Sequence, residues 1–172
     1  MSIQSVVKMG NKQLGTPSLL VERFGTKELF ELIQDMQDTM KEEGGVGIAA
    51  PQIGCNQRVI MFGFDESARY PDIKPVPFTI LINPTIEIIS DEMVEGWEGC
   101  LSVPGLRGLV SRYQKIKYSG FDVNGHFITR LAEGFHARVV QHENDHLDGI
   151  LFPQRIKDMR YFGFESELSV FS

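Results

Sequence analysis

Two of the four histidines in this 172-residue chain stand four positions apart, in Gln141-His142-Glu143-Asn144-Asp145-His146. On a helix, positions i and i+4 share a face, so the imidazoles of an H-E-x-x-H pattern can grip one metal ion. Glu143 follows the first histidine and can reach a water beside that ion. Two imidazoles buried one turn apart would lose hydration with nothing in return unless they shared a partner. A metal site is therefore the reading of the pair. His126, in a β-prone run, and His136, at the start of a helix, are read as ordinary core residues.

A catalytic site of this kind takes a third protein ligand and keeps one position open. No histidine follows His146, which removes an H-x-x-G-x-x-H continuation. Glu165 and Glu167 lie downstream in what reads as a solvated tail; either one as third ligand would make the chain a zincin-like metalloprotease. Cys100, in Glu98-Gly99-Cys100-Leu101-Ser102, is the other candidate. Gly99 would permit a sharp turn there, and a thiolate with two imidazoles suits a divalent transition metal. A third segment, Gly45-Val46-Gly47-Ile48-Ala49-Ala50-Pro51-Gln52, combines small residues that allow close approach with the amide of Gln52. No Lys-Ser/Thr follows it, so it is not a phosphate-binding P-loop. A peptide-binding metal module without turnover is a further reading.

The elements that must position these groups follow from periodicity. Leu29, Phe30, Ile33, Met36 and Met40 have helical spacing from Thr26, a candidate N-cap, to Glu43, and Gly44-Gly45 stops that helix. Arg58–Phe62, Phe78–Ile82, Thr85–Ile89, Lys115–Phe121 and His126–Leu131 read as strands, the last two flanking an Asn124-Gly125 hairpin signal. Asp65 to Pro77 reads as a surface loop. A second helix runs from about Phe135 to Leu147 and ends at Gly149. The fold class expected is α+β, with antiparallel strands packed around a central helix carrying the H-E-x-x-H motif. Beyond Pro153, Ile156, Met159 and Tyr161–Phe164 suit either a short helix or the cover of a sheet edge.

Bulk properties fit one domain over residues 1–172, with 42% apolar and 23% charged residues. A net charge of −6 argues against nucleic-acid binding. There is no membrane-length apolar run and no signal-peptide core at the N-terminus, so a cytoplasmic setting is expected, with Cys55 and Cys100 as free thiols.

Together the segments GVGIAAPQ (Gly45–Gln52), EGCLS (Glu98–Ser102) and QHENDH (Gln141–His146) resemble the peptide deformylase family. The resemblance implies hydrolysis of the N-formyl group from the initiator methionine of nascent peptides. It makes Cys100, His142 and His146 the ligands of one divalent ion: Fe2+ in the cell, with Zn2+, Ni2+ or Co2+ able to occupy the site. It makes Glu143 the general base and acid, and Gln52 and the Leu101 N–H oxyanion donors. Val46 and Gly47 would contact the substrate backbone, and Phe135 and Val139 the methionine side chain. Glu98 would be a structural acid, with Arg112 its partner. Trp97 and Arg138, near the expected pocket mouth, depart from some relatives in ways that bear on peptide choice. The tail has no long basic helix of the kind that docks some relatives on the ribosome, so the resemblance does not carry ribosome association with it.

Overall fold

The computed structural model describes residues 3–66 and 73–168. It has α1 (Lys27–Glu42) and α2 (Gly134–Leu147) and eight strands: β1 (Gly47–Ala49), β2 (Val59–Phe64), β3 (Val76–Ile88), β4 (Met93–Cys100), β5 (Val103–Tyr113), β6 (Lys115–Phe121), β7 (Phe127–Glu133) and β8 (Phe162–Phe164). Their pairing is antiparallel throughout, in a five-stranded sheet ordered β1-β2-β3-β6-β7 and a three-stranded sheet ordered β4-β5-β8. This is an α+β architecture. No helix among the described residues is long and apolar enough to cross a membrane.

β2 shows how the larger sheet takes a helix on each face. Side chains alternate along a strand. Ile60 and Phe62 enter a core with Ala137, Val140 and Leu147 of α2. Val59 and Met61 point the other way, into a core with Ile33, Met36 and Met40 of α1. With both faces covered, the strand is apolar at consecutive positions. Thr26 caps α1 by accepting from Leu29 N (3.2 Å), worth about 1 kcal/mol. A third core, with Leu14, Val103, Val110 and Phe152, lies against the smaller sheet. Gln141 joins α2 to the end of β5: its amide accepts from Tyr113 N (3.1 Å) and donates to Tyr113 O (2.9 Å).

Several expectations are corrected. The runs Phe78–Ile82 and Thr85–Ile89 are one strand, β3, interrupted by a bulge rather than a turn. Asn83 takes a left-handed φ of 51° there. Its side chain accepts from Val21 N and donates to Val21 O, both at 2.9 Å, so local side-chain bonding offsets the backbone cost. At Asn124-Gly125 the connection is wider than a two-residue hairpin turn. Asp122 organises it by accepting from the N–H groups of Asn124 and His126, and β7 begins only at Phe127. The segment holding Cys100 belongs to a long β4–β5 hairpin that residue alternation did not announce. The tail beyond Pro153 resolves into two 3-10 turns, Phe152–Arg155 and Met159–Tyr161, followed by the edge strand β8. The middle of the expected Asp65–Pro77 loop lies outside the described residues, and its end, Val76 and Pro77, is already in β3.

Candidate metal centre

Cys100 ends β4, and the tight turn Leu101–Ser102 leads directly into β5. Gly99 does not make that turn. It lies in the strand, and a Cβ there would collide with the Arg107 guanidinium packed against it. Across the seam, α2 presents His142 and His146 one turn apart, with ring centroids at 5.1 Å. One ligand atom from each of Cys100, His142 and His146 lies within 4.8 Å of the others. Cys100 Sγ is 3.3 Å from His146 Nε2.

The electrostatics of this trio are coupled. Burial pushes the Cys100 thiol up, but the imidazoles of His146 and His142 outweigh it and hold the thiol well below its ordinary value. Burial would lower His142, but Cys100 and Glu98 outweigh that and raise it. The pair thus favours a Cys100 thiolate beside a protonated His142 ring, a charge distribution that a divalent cation would replace on displacing that proton. One thiolate and two imidazoles are three protein donors of a kind that suits transition metals, so the residues present fit such an ion.

Glu98, 4% exposed, sets the orientation of one candidate ligand. Its Oε2 accepts from His142 Nδ1 at 2.9 Å, which leaves Nε2 as the nitrogen available to an ion. Arg112 donates to both Glu98 oxygens (2.9 and 3.0 Å) and on its other side to Asp145 (2.5 Å), which Arg155 also holds at 2.7 Å. Burial alone would raise Glu98; His142 and Arg112 outweigh it and keep the carboxyl below the usual carboxylate range.

Glu143 is the opposite case. Burial pushes its carboxyl up to about 7, only partly offset by His142 and His146. Its Oε2 is buried without a hydrogen-bond partner among the described residues. A Cβ at Gly47 would run into this carboxylate, so glycine on β1 leaves the space it occupies. Gln52 follows β1 in the 3-10 turn Ala50–Ile53. Its Oε1 accepts from Ala49 N (2.8 Å), which turns Nε2 toward Ser102 Oγ (3.1 Å) and Cys100 Sγ (3.4 Å).

Val46, Gly47, Gln52, Cys100, Leu101, Phe135, Val139, His142 and Glu143 line one cleft. His146, 1% exposed, adds its donor from beneath. The other candidates lie elsewhere. Glu165 pairs with Arg107 (3.1 Å), and Glu167 is exposed. His126 is exposed and bonded to Asp122 rather than buried in a core, whereas His136 packs against Phe62 and Tyr118. Cys55 and Cys100 are free thiols. Asp145 and Arg155 were missed by sequence reasoning. Asp145 lies inside the histidine motif, but only the folded hairpin brings Arg112 to it.

The sequence profile described as polypeptide deformylase matches residues 3–161. The chain is similar to peptide deformylase 2 of Ralstonia nicotianae, 59% identical over 94% of this chain and 92% of that one. It is also similar to peptide deformylase 1 of Nitrosomonas europaea, 55% identical over 96% and 94%. Among solved structures, the Met-Ala-Ser-bound class I type b peptide deformylase of Acinetobacter baumannii superposes with a TM-score of 0.87 at 40% identity, covering 90% of this chain and 99% of that one.

Proposed function

The chain belongs to the polypeptide deformylase family, metal-dependent amide hydrolases that remove the N-formyl group from N-terminal methionine and release formate, and from that premise we propose how its residues divide the work. Residues 1–172 form one catalytic domain in which α2 is the central helix. Cys100, His142 and His146 hold the ion, ferrous iron in the cell, with zinc, nickel or cobalt as substitutes. The enzyme works in the cytoplasm on nascent peptides, with no nucleic-acid or membrane partner.

When bound, such an ion supplies Lewis acidity and a water acidic enough to yield hydroxide near pH ~7. The chain's own groups do the rest. Glu143 takes the proton of the attacking water as it adds to the formyl carbon, and returns it to the departing methionine amine as the C–N bond breaks. The partnerless Oε2 beside both histidines supports that role. The Gln52 amide and the Leu101 N–H receive the negative charge that develops on the former carbonyl oxygen; one such donor is typically worth ~10²–10³ in rate. Val46 and Gly47 hold the substrate backbone, and Phe135 and Val139 receive the methionine side chain. The tight wall around Gly47 leaves room for the hydrogen of a formyl group and crowds a methyl.

The observation that carries this reading is that Cys100, His142 and Glu143 line one cleft, with a ligand atom of His146 within 4.8 Å of those of Cys100 and His142. Two measurements test it. Cys100→Ala should lose the metal and all turnover. Formyl-Met-Ala-Ser should be hydrolysed far faster than acetyl-Met-Ala-Ser, and equal rates would refute the steric account of formyl preference.

A further inference from the structure

We propose that Arg138 is a positioning residue of the metal centre, holding Glu98, and through it the His142 ring, in register with Cys100. The inference rests on the ligand assignment made above.

Each Glu98 oxygen accepts two donors: Oε1 takes Arg112 Nε and Arg138 Nη1 (2.8 Å), while Oε2 takes Arg112 Nη2 and His142 Nδ1. Four donors on two oxygens fix the carboxylate in both tilt and rotation. Arg112 shares its charge with Asp145, so Arg138 brings Glu98 a second cation. Its place on the chain matters as much as its charge. Arg138 is one helical turn before His142, so α2 grips the same acid at two points. The same guanidinium donates to the carbonyls of Val94 (2.6 Å) and Gly96 (3.4 Å) on β4 and of Val110 (2.8 Å) on β5.

One side chain, only 11% exposed, therefore clamps the helix carrying two ligands to the strand carrying the third. The clamp has a reserved seat. A Cβ at Gly96 would come within 2.7 Å of the Arg138 Cζ. Without the guanidinium, β4 loses its register against α2, and Glu98 gains freedom to turn away from Nδ1. Both changes move a donor atom of the trio. Partners of ligating histidines typically contribute ~10–100-fold to metal affinity.

The test uses full-length protein loaded with Co2+ and transferred into excess chelator, with release followed by the cobalt absorption band and folding by thermal melting. Arg138→Met should release cobalt about tenfold faster or more. Arg138→Lys should fall between, because an ammonium keeps the charge but cannot span Glu98 and three carbonyls. Release at the wild-type rate from both variants would overturn the proposal, even if their melting points fall, and would make Arg138 a strut only. If Arg138→Met does not fold, Arg138→Lys decides alone, and wild-type release from it overturns the proposal. Cys100→Ser is the control: if it holds cobalt as tightly as wild type, the ligand assignment fails. If it loses cobalt while both Arg138 variants retain it, only the present inference fails.

Discussion

Replacing Gly47 with alanine should remove most of the turnover while leaving the fold and the metal donors in place. Gly47 lies in β1, paired with Phe62, and its backbone is not in the left-handed region, so alanine meets no backbone strain there. The obstacle is Glu143. The new methyl would come within 2.8 Å of the Glu143 Cδ and 3.0 Å of its Cγ. Comfortable carbon contacts lie near ~3.5–4.0 Å, so the carboxyl must withdraw by about 1 Å. A displacement of that size costs on the order of 10²-fold in a positioned reaction. That is at the lower end of the ~10²–10⁴ a general base contributes. Stability should change little, because glycine-to-alanine gains ~0.4–1 kcal/mol through the unfolded state, offsetting some of the crowding. At roughly 2–4 °C per kcal/mol, the melting point should stay within about 4 °C of wild type. The assay is saturation kinetics on formyl-Met-Ala-Ser with metal content measured in parallel. Since Gly47 also lines the cleft proposed to hold the substrate backbone, KM should rise, and the diagnostic quantity is kcat. A kcat within about threefold of wild type, from metal-replete G47A, would refute the claim that this glycine exists to seat the base.

Glu98→Gln should be costly, because it strips the charge from a buried carboxylate shared by Arg112, Arg138 and His142. Breaking a buried pair costs about 3–5 kcal/mol, so melting should fall by roughly 6–20 °C; a fall below about 2 °C would show the charge to be dispensable. Glu143 gives a pH signature in the metal-free protein. Burial raises its carboxyl to about 7, so the folded state keeps a proton that the unfolded state has already released. Its contribution to stability is therefore full below the ordinary carboxylate value and is lost as pH rises toward 7. Glu143→Gln, which cannot ionise, should gain stability relative to wild type between pH ~5 and ~8, and a constant difference across that range by denaturant titration would contradict the burial argument.

The two helices were legible because each carries a long 3.6-residue pattern bounded by a cap or a glycine: Thr26 and Gly44 for α1, Gly149 for α2. The site residues were legible as residue types, since Cys100, His142, Glu143 and Gln52 stand in short, chemically specific segments. The long β4–β5 hairpin was not. Its strands run through Gly96, Gly99, Gly105 and Gly108, which weaken any strand signal, and these glycines answer to side chains distant in sequence. Gly96 makes room for Arg138, Gly99 for Arg107, and Gly108 for Ile156 and Phe152. The same holds for the charges around Glu98. A sequence displays Asp145 and Arg155 as ordinary polar residues, and only tertiary packing gathers them with Arg112 and Arg138 into one network around Glu98, largely buried except at Arg155. Asn83 illustrates a third limit: Phe78–Ile82 and Thr85–Ile89 read as separate strands, but Asn83, bonded to Val21 62 residues away, forms a bulge inside one strand.

The donor atoms of the proposed metal centre come from two pieces of the fold: Cys100 from the hairpin of the smaller sheet, and the histidines from a helix seated on the larger one. Cys100 and His146 are 46 positions apart along the chain, so only the docked arrangement offers all three donors at once. An ion that binds the native state alone adds RT ln(1 + [L]/Kd) to its stability, about 2.7 kcal/mol at a hundred times Kd. An ion held there would thus also be a rivet through the seam between hairpin and helix, tightened or loosened by the free metal concentration around the protein. Stripping the ion should be felt first in amide exchange along β4, β5 and the last turns of α2, while the strands buried between the two helices stay closed.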